Sequence, residues 1–126
     1  MSFLLLVPSK PAISVKAQNT SHTSLLIEWK EIPPDFIHGV LLGYRVLFWR
    51  FNESRDTYET RQTGPDVHLL HLRDLWIYTK YKIEVLGFTS AGEGSISDEI
   101  VVSTDEFSKL YLDSIEKFCF IFTCNV

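Results

Sequence analysis

Between residues 8 and 106, hydrophobic side chains recur at every second position in short segments that are separated by turn-forming residues. The clearest segments begin at Leu25, Gly43 and Tyr81. Successive side chains of a strand point to opposite faces of a sheet, so each segment predicts a strand with one buried face. Seven such segments without a helical period predict an all-β sandwich of two antiparallel sheets. We expect the strands over residues 13–17, 25–30, 43–51, 56–62, 67–72, 81–87 and 97–103.

The inward positions of these strands predict the hydrophobic core. Trp29 has the large ring and the strand position that are typical of core packing. Tyr81 opens its strand after a leucine and a short turn, and we expect its hydroxyl to hydrogen-bond back to that corner. We expect turns over residues 19–21 and 89–95, where small and polar residues cluster. The predicted core consists of Leu25, Ile27, Trp29, Tyr44, Val46, Leu70, Leu72, Leu75, Tyr81, Ile83 and Val85.

Two motifs carry a resemblance to a known family. One motif is the Gly43-Tyr44-x-Val46 start of the third strand. The other surrounds the sixth strand and consists of Leu75, Thr79, Tyr81, Ala91, Gly92, Gly94 and Ser97. In both, the chain resembles a fibronectin type III domain, which implies an immunoglobulin-like β-sandwich of seven antiparallel strands. Ile77 and Tyr78 stand where that family usually has a Pro-Gly pair.

The chain divides into three parts on this reading. Residues 1–7 are an apolar leader stub or linker, and residues 8–106 are the fibronectin type III domain. Residues 107–126 are a non-domain C-terminal tail, either a short helix or disordered, which suggests a truncated or aberrantly spliced product of a longer multidomain chain. Cys119 and Cys124 both lie in this tail, so the sandwich has no inter-sheet disulfide. This pair is a local bridge, two free thiols or an accident of the tail.

Charge and motifs argue against several classes of function. The net charge of −4 comes without a basic stripe, which argues against a nucleic-acid partner. No segment reaches the roughly 20 apolar residues of a membrane-spanning helix, and the leader stub is shorter than a signal-peptide core. The chain lacks a Gly-x-Ser-x-Gly elbow, a His-Glu-x-x-His pair and a phosphate-binding loop. Because these motifs are missing and the histidines are dispersed, we expect no cofactor and no enzymatic activity. His68 and His71 have opposite strand parity, so we expect no metal site there.

Strand parity predicts a surface for a protein partner. Leu47 and Trp49 of the third strand and Leu86 and Phe88 of the sixth point away from the core. We expect them to form an exposed apolar patch rimmed by the charged residues Arg45, Lys82 and Glu84, as in protein interfaces. We expect Trp49 to be the single residue that anchors a partner. The alternative is that linkers, the tail or a neighbouring domain cover the patch. A second candidate is Trp76-Ile77-Tyr78, which is apolar where the family has Pro-Gly.

Two acceptor patterns predict glycosylation, Asn19-Thr20-Ser21 and Asn52-Glu53-Ser54. The family resemblance implies a protein-interaction module of a cell-adhesion or receptor-type protein. It places the chain outside the cell, as an ectodomain of a longer membrane protein, with cell-surface or matrix proteins or adjacent domains of the parent chain as partners. The alternative is a structural spacer repeat with no ligand of its own. Neither an Arg-Gly-Asp sequence nor a Trp-Ser-x-Trp-Ser box is present to narrow the choice.

Overall fold

The computed structural model describes residues 7–104, and within that range the chain forms eight β-strands. Single turns of 3-10 helix at Pro34–Phe36 and Arg55–Thr57 interrupt two of the connections. The strands are β1 (Ile13–Ser21), β2 (Ser24–Lys30), β3 (Gly43–Arg50), β4 (Glu59–Thr63), β5 (Leu69–Leu72), β6 (Lys80–Thr89), β7 (Gly92–Ile96) and β8 (Ile100–Ser103).

These strands form two antiparallel sheets. One sheet has the order β1-β2-β5, and the other has the order β4-β3-β6-β7, with β8 also paired to β6. The longest ladder joins β3 to β6, from Gly43 opposite Phe88 to Arg50 opposite Tyr81. The two ends of this ladder define two ends of the sandwich, and the candidate surfaces are described relative to them.

The hydrophobic core lies between the two sheets where alternation predicts it. Leu25, Ile27 and Trp29 of β2 are buried against Tyr44, Val46, Phe48, Tyr81, Ile83 and Val85 of the facing sheet. Leu72 and Leu75 are buried with them, and Leu70 is half-buried against the same cluster. The predicted core is therefore confirmed, since each strand buries one face of its two-residue repeat.

One predicted turn is wrong, and another is shorter than predicted. Residues 19–21 belong to β1, which turns only at His22 and Thr23. The hydroxyls of Ser21 and Ser24 lie 2.6 Å apart across this turn, and the amide of Thr23 donates to the Ser21 hydroxyl over 3.2 Å. The later turn is confined to Ser90 and Ala91, because the residues that follow pair with β6 as β7. Ser21 and Gly92 therefore lie in strands, and both hairpins have longer strands than the turn propensity of serine and glycine predicts.

The eighth strand is β7, which lies where a turn was predicted, and the last predicted strand is shortened to β8. The amide of Ser97 donates to the Val85 carbonyl over 2.9 Å, and the Ser97 hydroxyl accepts from the Val85 amide over 2.8 Å. A side chain thus supplies an acceptor that backbone would supply in a regular ladder. β7 ends before Ser97, and β8 resumes the pairing with Ile100 opposite Ile83.

The fourth strand begins later than predicted, because residues 55–57 form a 3-10 turn capped by Ser54. The Ser54 hydroxyl accepts from the amide of Asp56 over 3.3 Å. The predictions for residues 107–126, including Cys119 and Cys124, lie outside the described residues, as does most of the predicted leader.

Candidate interaction surfaces

The apolar patch predicted on the outer face of the larger sheet is not exposed. Leu47, Trp49, Leu86 and Phe88 do share that face of β3 and β6, but they retain only 4%, 4%, 0% and 7% of their accessibility. They form a second small hydrophobic layer, separate from the core between the sheets. The prediction that they form an exposed patch is therefore wrong.

Two arginines lie over this second layer. The Arg45 guanidinium lies 4.3 Å from the centre of the Phe88 ring and pairs with Glu93 over 2.6 Å. The Arg55 guanidinium lies 5.6 Å from the Trp49 ring. Long basic side chains cover apolar surface with their stems while the charged head stays in water. Arg45, predicted as part of a charged rim, instead covers one of the rings.

Arg55, the second of these arginines, forms an ion pair with a residue of the sheet. Arg55 donates to the Glu84 carboxylate over 2.8 Å, and this hydrogen bond raises the pKa of the guanidinium. Glu84 is on β6, 29 positions along the chain from Arg55. Lys82 pairs in the same way with Glu99 over 3.1 Å. Each predicted rim charge therefore pairs with an oppositely charged residue outside the predicted rim.

The second candidate is exposed. Trp76, Ile77 and Tyr78, in the connection from β5 to β6, retain 62%, 48% and 57% of their accessibility. The ring of Phe51, in the turn after β3, is also exposed. We call Phe51, Trp76, Ile77 and Tyr78 the corner surface. It lies at the end of the sandwich where β3 ends and β6 begins.

Hydrogen bonds hold the backbone of this corner. The Trp76 amide donates to the Tyr81 hydroxyl over 3.0 Å, which confirms the predicted role of that tyrosine. The Thr104 hydroxyl donates to the Trp76 carbonyl over 2.6 Å and accepts from the Thr79 amide over 3.2 Å. The last described residue is thus hydrogen-bonded to the corner.

Tyr78 has a left-handed backbone conformation, with φ of +50°. This is one of the two positions at which the family usually has Pro-Gly, and glycine adopts such angles without steric cost. A side chain with a Cβ atom is strained there by roughly 1–3 kcal/mol. Tyr78 therefore makes this turn in a backbone conformation that is unfavourable for its residue type, while its ring stays exposed.

Basic groups flank the corner surface. The Arg50 guanidinium lies 3.6 Å from the Trp76 ring centre and also pairs with Glu53. Lys80 lies beside Phe51, with its ammonium 5.8 Å from the ring centre. A depression of about 270 Å³ opens between these residues, and Asn52 and Tyr78 form part of its wall. The surface thus combines exposed rings, two cations and a concave feature.

The two glycosylation candidates differ in their surroundings. Asn19 lies within β1, half-buried and opposite Leu25. Asn52 lies in the turn that follows β3 and is exposed. A glycan is bulky and hydrated and needs an exposed attachment point, so the local structure favours Asn52 as the acceptor.

Titratable groups in the described part of the chain do not converge on a reaction centre. The Nε2 atoms of His38 and His71 lie 2.8 Å from the hydroxyls of Ser9 and Thr20, respectively. His68 packs edge-on against Tyr44, with ring centres 5.6 Å apart. Residues 7–104 contain no group of three His, Cys, Asp or Glu side chains that could hold a metal ion. In the same range, no helix has the length and apolar character that crossing a bilayer requires.

Solved structures share this fold. The chicken CNTN1 FN1-FN3 domains match with a TM-score of 0.72 and 22% identity, over 79% of this chain and 33% of that one. The fn3 domain of human contactin 1 matches with a TM-score of 0.71 and 24% identity, over 80% of this chain and 82% of that one. At these identities the similarity shows the architecture alone.

Sequence relatives are adhesion and receptor proteins. The human cell adhesion molecule DSCAM is 36% identical over 100 residues, and the mouse cell adhesion molecule DSCAML1 is 33% identical over 100 residues. The receptor-type tyrosine-protein phosphatase F of zebrafish (Danio rerio) is 30% identical over 99 residues. Each match covers 79% of this chain and only 5% of the relative, so the chain spans about a twentieth of their length. The family model of the fibronectin type III domain matches residues 9–103, and the chain therefore belongs to the fibronectin type III family.

Proposed function

We propose that this chain is a non-enzymatic, extracellular protein-interaction module of a cell-adhesion or receptor-type multidomain protein, and that its partner binds the corner surface. The observation that carries the proposal is the exposure of Trp76, Ile77 and Tyr78 together at one corner. Clustered exposed apolar side chains are typical of binding sites. The adhesion and receptor relatives support the class of protein to which the module belongs.

The chemistry of the corner suits a protein partner. Trp, Tyr and Arg are the residues that most often carry binding energy in interfaces, and Trp76, Tyr78 and Arg50 lie together here. Hydrogen bonds to Tyr81 and Thr104 already order the backbone. A partner therefore meets a surface whose backbone needs little further ordering, which lowers the entropic cost of binding.

Trp49, which strand parity predicted as the anchor, is poorly placed to contact a partner in this structure. Its ring is buried beneath Arg55 in the second hydrophobic layer. A partner would have to break the Arg55 to Glu84 ion pair before it reached the ring. Trp76 takes its place as the expected anchor.

The alternative function is a structural spacer, and one observation favours it. Thr104, where the described chain ends, is hydrogen-bonded to Trp76 and Thr79. These hydrogen bonds hold the C-terminal end of the described range against the corner surface. In a spacer, the exposed rings pack against an adjacent domain of the same chain and bind no separate ligand.

The two functions are separated by charge substitution in protein made in bacteria, which carries no glycan. Trp76→Glu places a charge at the corner, and Val40→Glu places one on an exposed apolar residue in the connection from β2 to β3, at the opposite end of the sandwich. Each variant is first shown to keep the thermal unfolding midpoint of the unmodified chain. Beads coated with each protein are then assayed for binding to cells and to one another.

An anchor residue contributes about 2 kcal/mol or more, so Trp76→Glu is expected to weaken binding roughly thirtyfold. Val40→Glu is expected to leave binding unchanged. Equal behaviour of all three proteins would favour the spacer. Loss of binding in Val40→Glu alone would indicate that the partner binds at the other end of the sandwich.

A further inference from the structure

Asn52 is placed at the edge of the corner surface. It is exposed in the turn after β3, and it lines the same depression of about 270 Å³ as Trp76 and Tyr78. It also begins the acceptor pattern Asn52-Glu53-Ser54. A group attached to this side chain therefore starts within the depression that contains the exposed rings.

Contacts on both sides of Asn52 order its turn. The Glu53 amide donates to the Arg50 carbonyl over 3.0 Å, and the Glu53 carboxylate pairs with the Arg50 guanidinium. After the acceptor serine, the Thr57 amide donates to the Ser54 carbonyl over 3.0 Å. The attachment point is thus held in one position relative to the corner, because Arg50 also stacks on Trp76.

A sugar matches the chemistry of the depression. The ring of N-acetylglucosamine has an apolar C–H face, which packs on aromatic rings, and polar groups at its edge. Trp76 and Tyr78 offer exposed rings, and an aromatic ring buries a large apolar area in such a contact. Lys80 lines the same depression and supplies a hydrogen-bond donor for the acetamide oxygen. The covalent link supplies a high effective concentration, so a weak contact is enough to hold the sugar in place.

We infer that Asn52 carries an N-linked glycan whose first N-acetylglucosamine packs against Trp76 and Tyr78 in this depression. The inference rests on the proposed function only because it needs the chain to pass through the secretory pathway. The glycan occupies the corner surface, so the glycosylated form binds a protein partner there more weakly than the unglycosylated form. Glycosylation at Asn52 thus controls access to the proposed contact.

The test uses the full chain secreted from cells that attach only high-mannose glycans. Asn19→Gln leaves Asn52 as the one described acceptor, and Asn52→Gln is its matched control. Occupancy is measured by mass spectrometry. An endoglycosidase then trims the glycan to a single N-acetylglucosamine, so that any effect belongs to the first sugar.

Acrylamide quenching of tryptophan fluorescence reports the contact. Of the three tryptophans, Trp29 and Trp49 are buried and Trp76 is exposed, so quenching measures access to Trp76. The trimmed Asn19→Gln protein is expected to show about a twofold smaller quenching constant than Asn52→Gln, because the sugar covers ring surface that Arg50 leaves open. The sugar is also expected to raise the thermal unfolding midpoint of the trimmed Asn19→Gln protein above that of Asn52→Gln. Adding Trp76→Ala is expected to abolish that rise.

Each contrary result has its own meaning. An unmodified Asn52 in secreted protein overturns the inferred site, whether or not Asn19 is modified. A modified Asn52 with unchanged quenching, or with a midpoint rise that survives Trp76→Ala, overturns the packing of the sugar. Neither result affects the binding assay on unglycosylated bacterial protein, which tests the proposed function separately.

Discussion

The backbone amide of Trp76 donates to the phenolic oxygen of Tyr81 over 3.0 Å, while the Trp76 ring is turned out to solvent. One residue thus fastens the corner through its backbone and presents its side chain at the surface. Because the two roles use different atoms, replacing the ring should alter binding without releasing the corner. The ring of Tyr81 is buried, so its hydroxyl can be removed with little change of packing.

We expect Tyr81→Phe to destabilise the domain by about 1–3 kcal/mol, because the Trp76 amide loses its acceptor in a partly buried position. The measurement is the free energy of unfolding from urea denaturation. Tyr58→Phe is the control, since Tyr58 is exposed. Equal stability of the two variants would show that the corner does not depend on this hydrogen bond.

At residue 78 we expect glycine to be more stable than alanine by about 1 kcal/mol, because only glycine adopts a positive φ without steric cost. Both variants remove the ring, so the comparison isolates the backbone. The same pair at Thr60, an exposed position in β4, should show the opposite order. Thermal unfolding midpoints measure both differences. A higher midpoint for Tyr78→Ala than for Tyr78→Gly would contradict the strained geometry.

Trp49→Ala is expected to cost about 3–5 kcal/mol, the range for removing a buried large aromatic residue, as is Trp29→Ala in the main core. Trp76→Ala is expected to cost much less, because its ring is exposed. Urea denaturation of the three variants measures this difference. A small loss in Trp49→Ala would mean that the second layer contributes little to folding.

Burial raises the pKa of the Tyr44 and Tyr81 phenols, and hydrogen bonds from the amides of Ile32 and Trp76 offset part of that rise. A raised folded pKa means that the neutral phenol is favoured in the folded state. The resulting stability is fully present below the unfolded pKa of about 10 and is lost as pH rises through the folded value. We expect unfolding free energy to fall above about pH 10.

The decline should be smaller in Tyr44→Phe and in Tyr81→Phe than in the unmodified chain, since each removes one of the two groups. The measurement is urea denaturation at a series of pH values on either side of the tyrosine transition. Parallel declines in all three proteins would assign the loss to other groups.

Much of the fold could be predicted from local pattern. Alternation in the β2 and β3 segments placed Trp29 and Tyr44 on the core face, because the two-residue repeat of a strand is a local property. The spacing of Leu75 and Tyr81 predicted the corner, because a leucine, a short turn and a strand-opening tyrosine form a local sequence pattern. Hairpin ends were predicted less well, since Ser21 and Gly92 continue strands when a partner strand supplies hydrogen bonds.

Alternation along β3 and β6 dictates which face of the sheet Leu47, Trp49, Leu86 and Phe88 occupy, because it is a local property of each strand. The burial of these four side chains and the exposure of Trp76 and Tyr78 depend on the folded arrangement of the chain. Exposure depends on what lies above a side chain, and part of that cover comes from residues distant along the chain. Arg55 reaches Trp49 through its bond to Glu84, and Arg45 crosses Phe88 to reach Glu93. Strand parity encodes direction but carries no information about such contacts, and for that reason the expected contact surface moved from the sheet face to the corner.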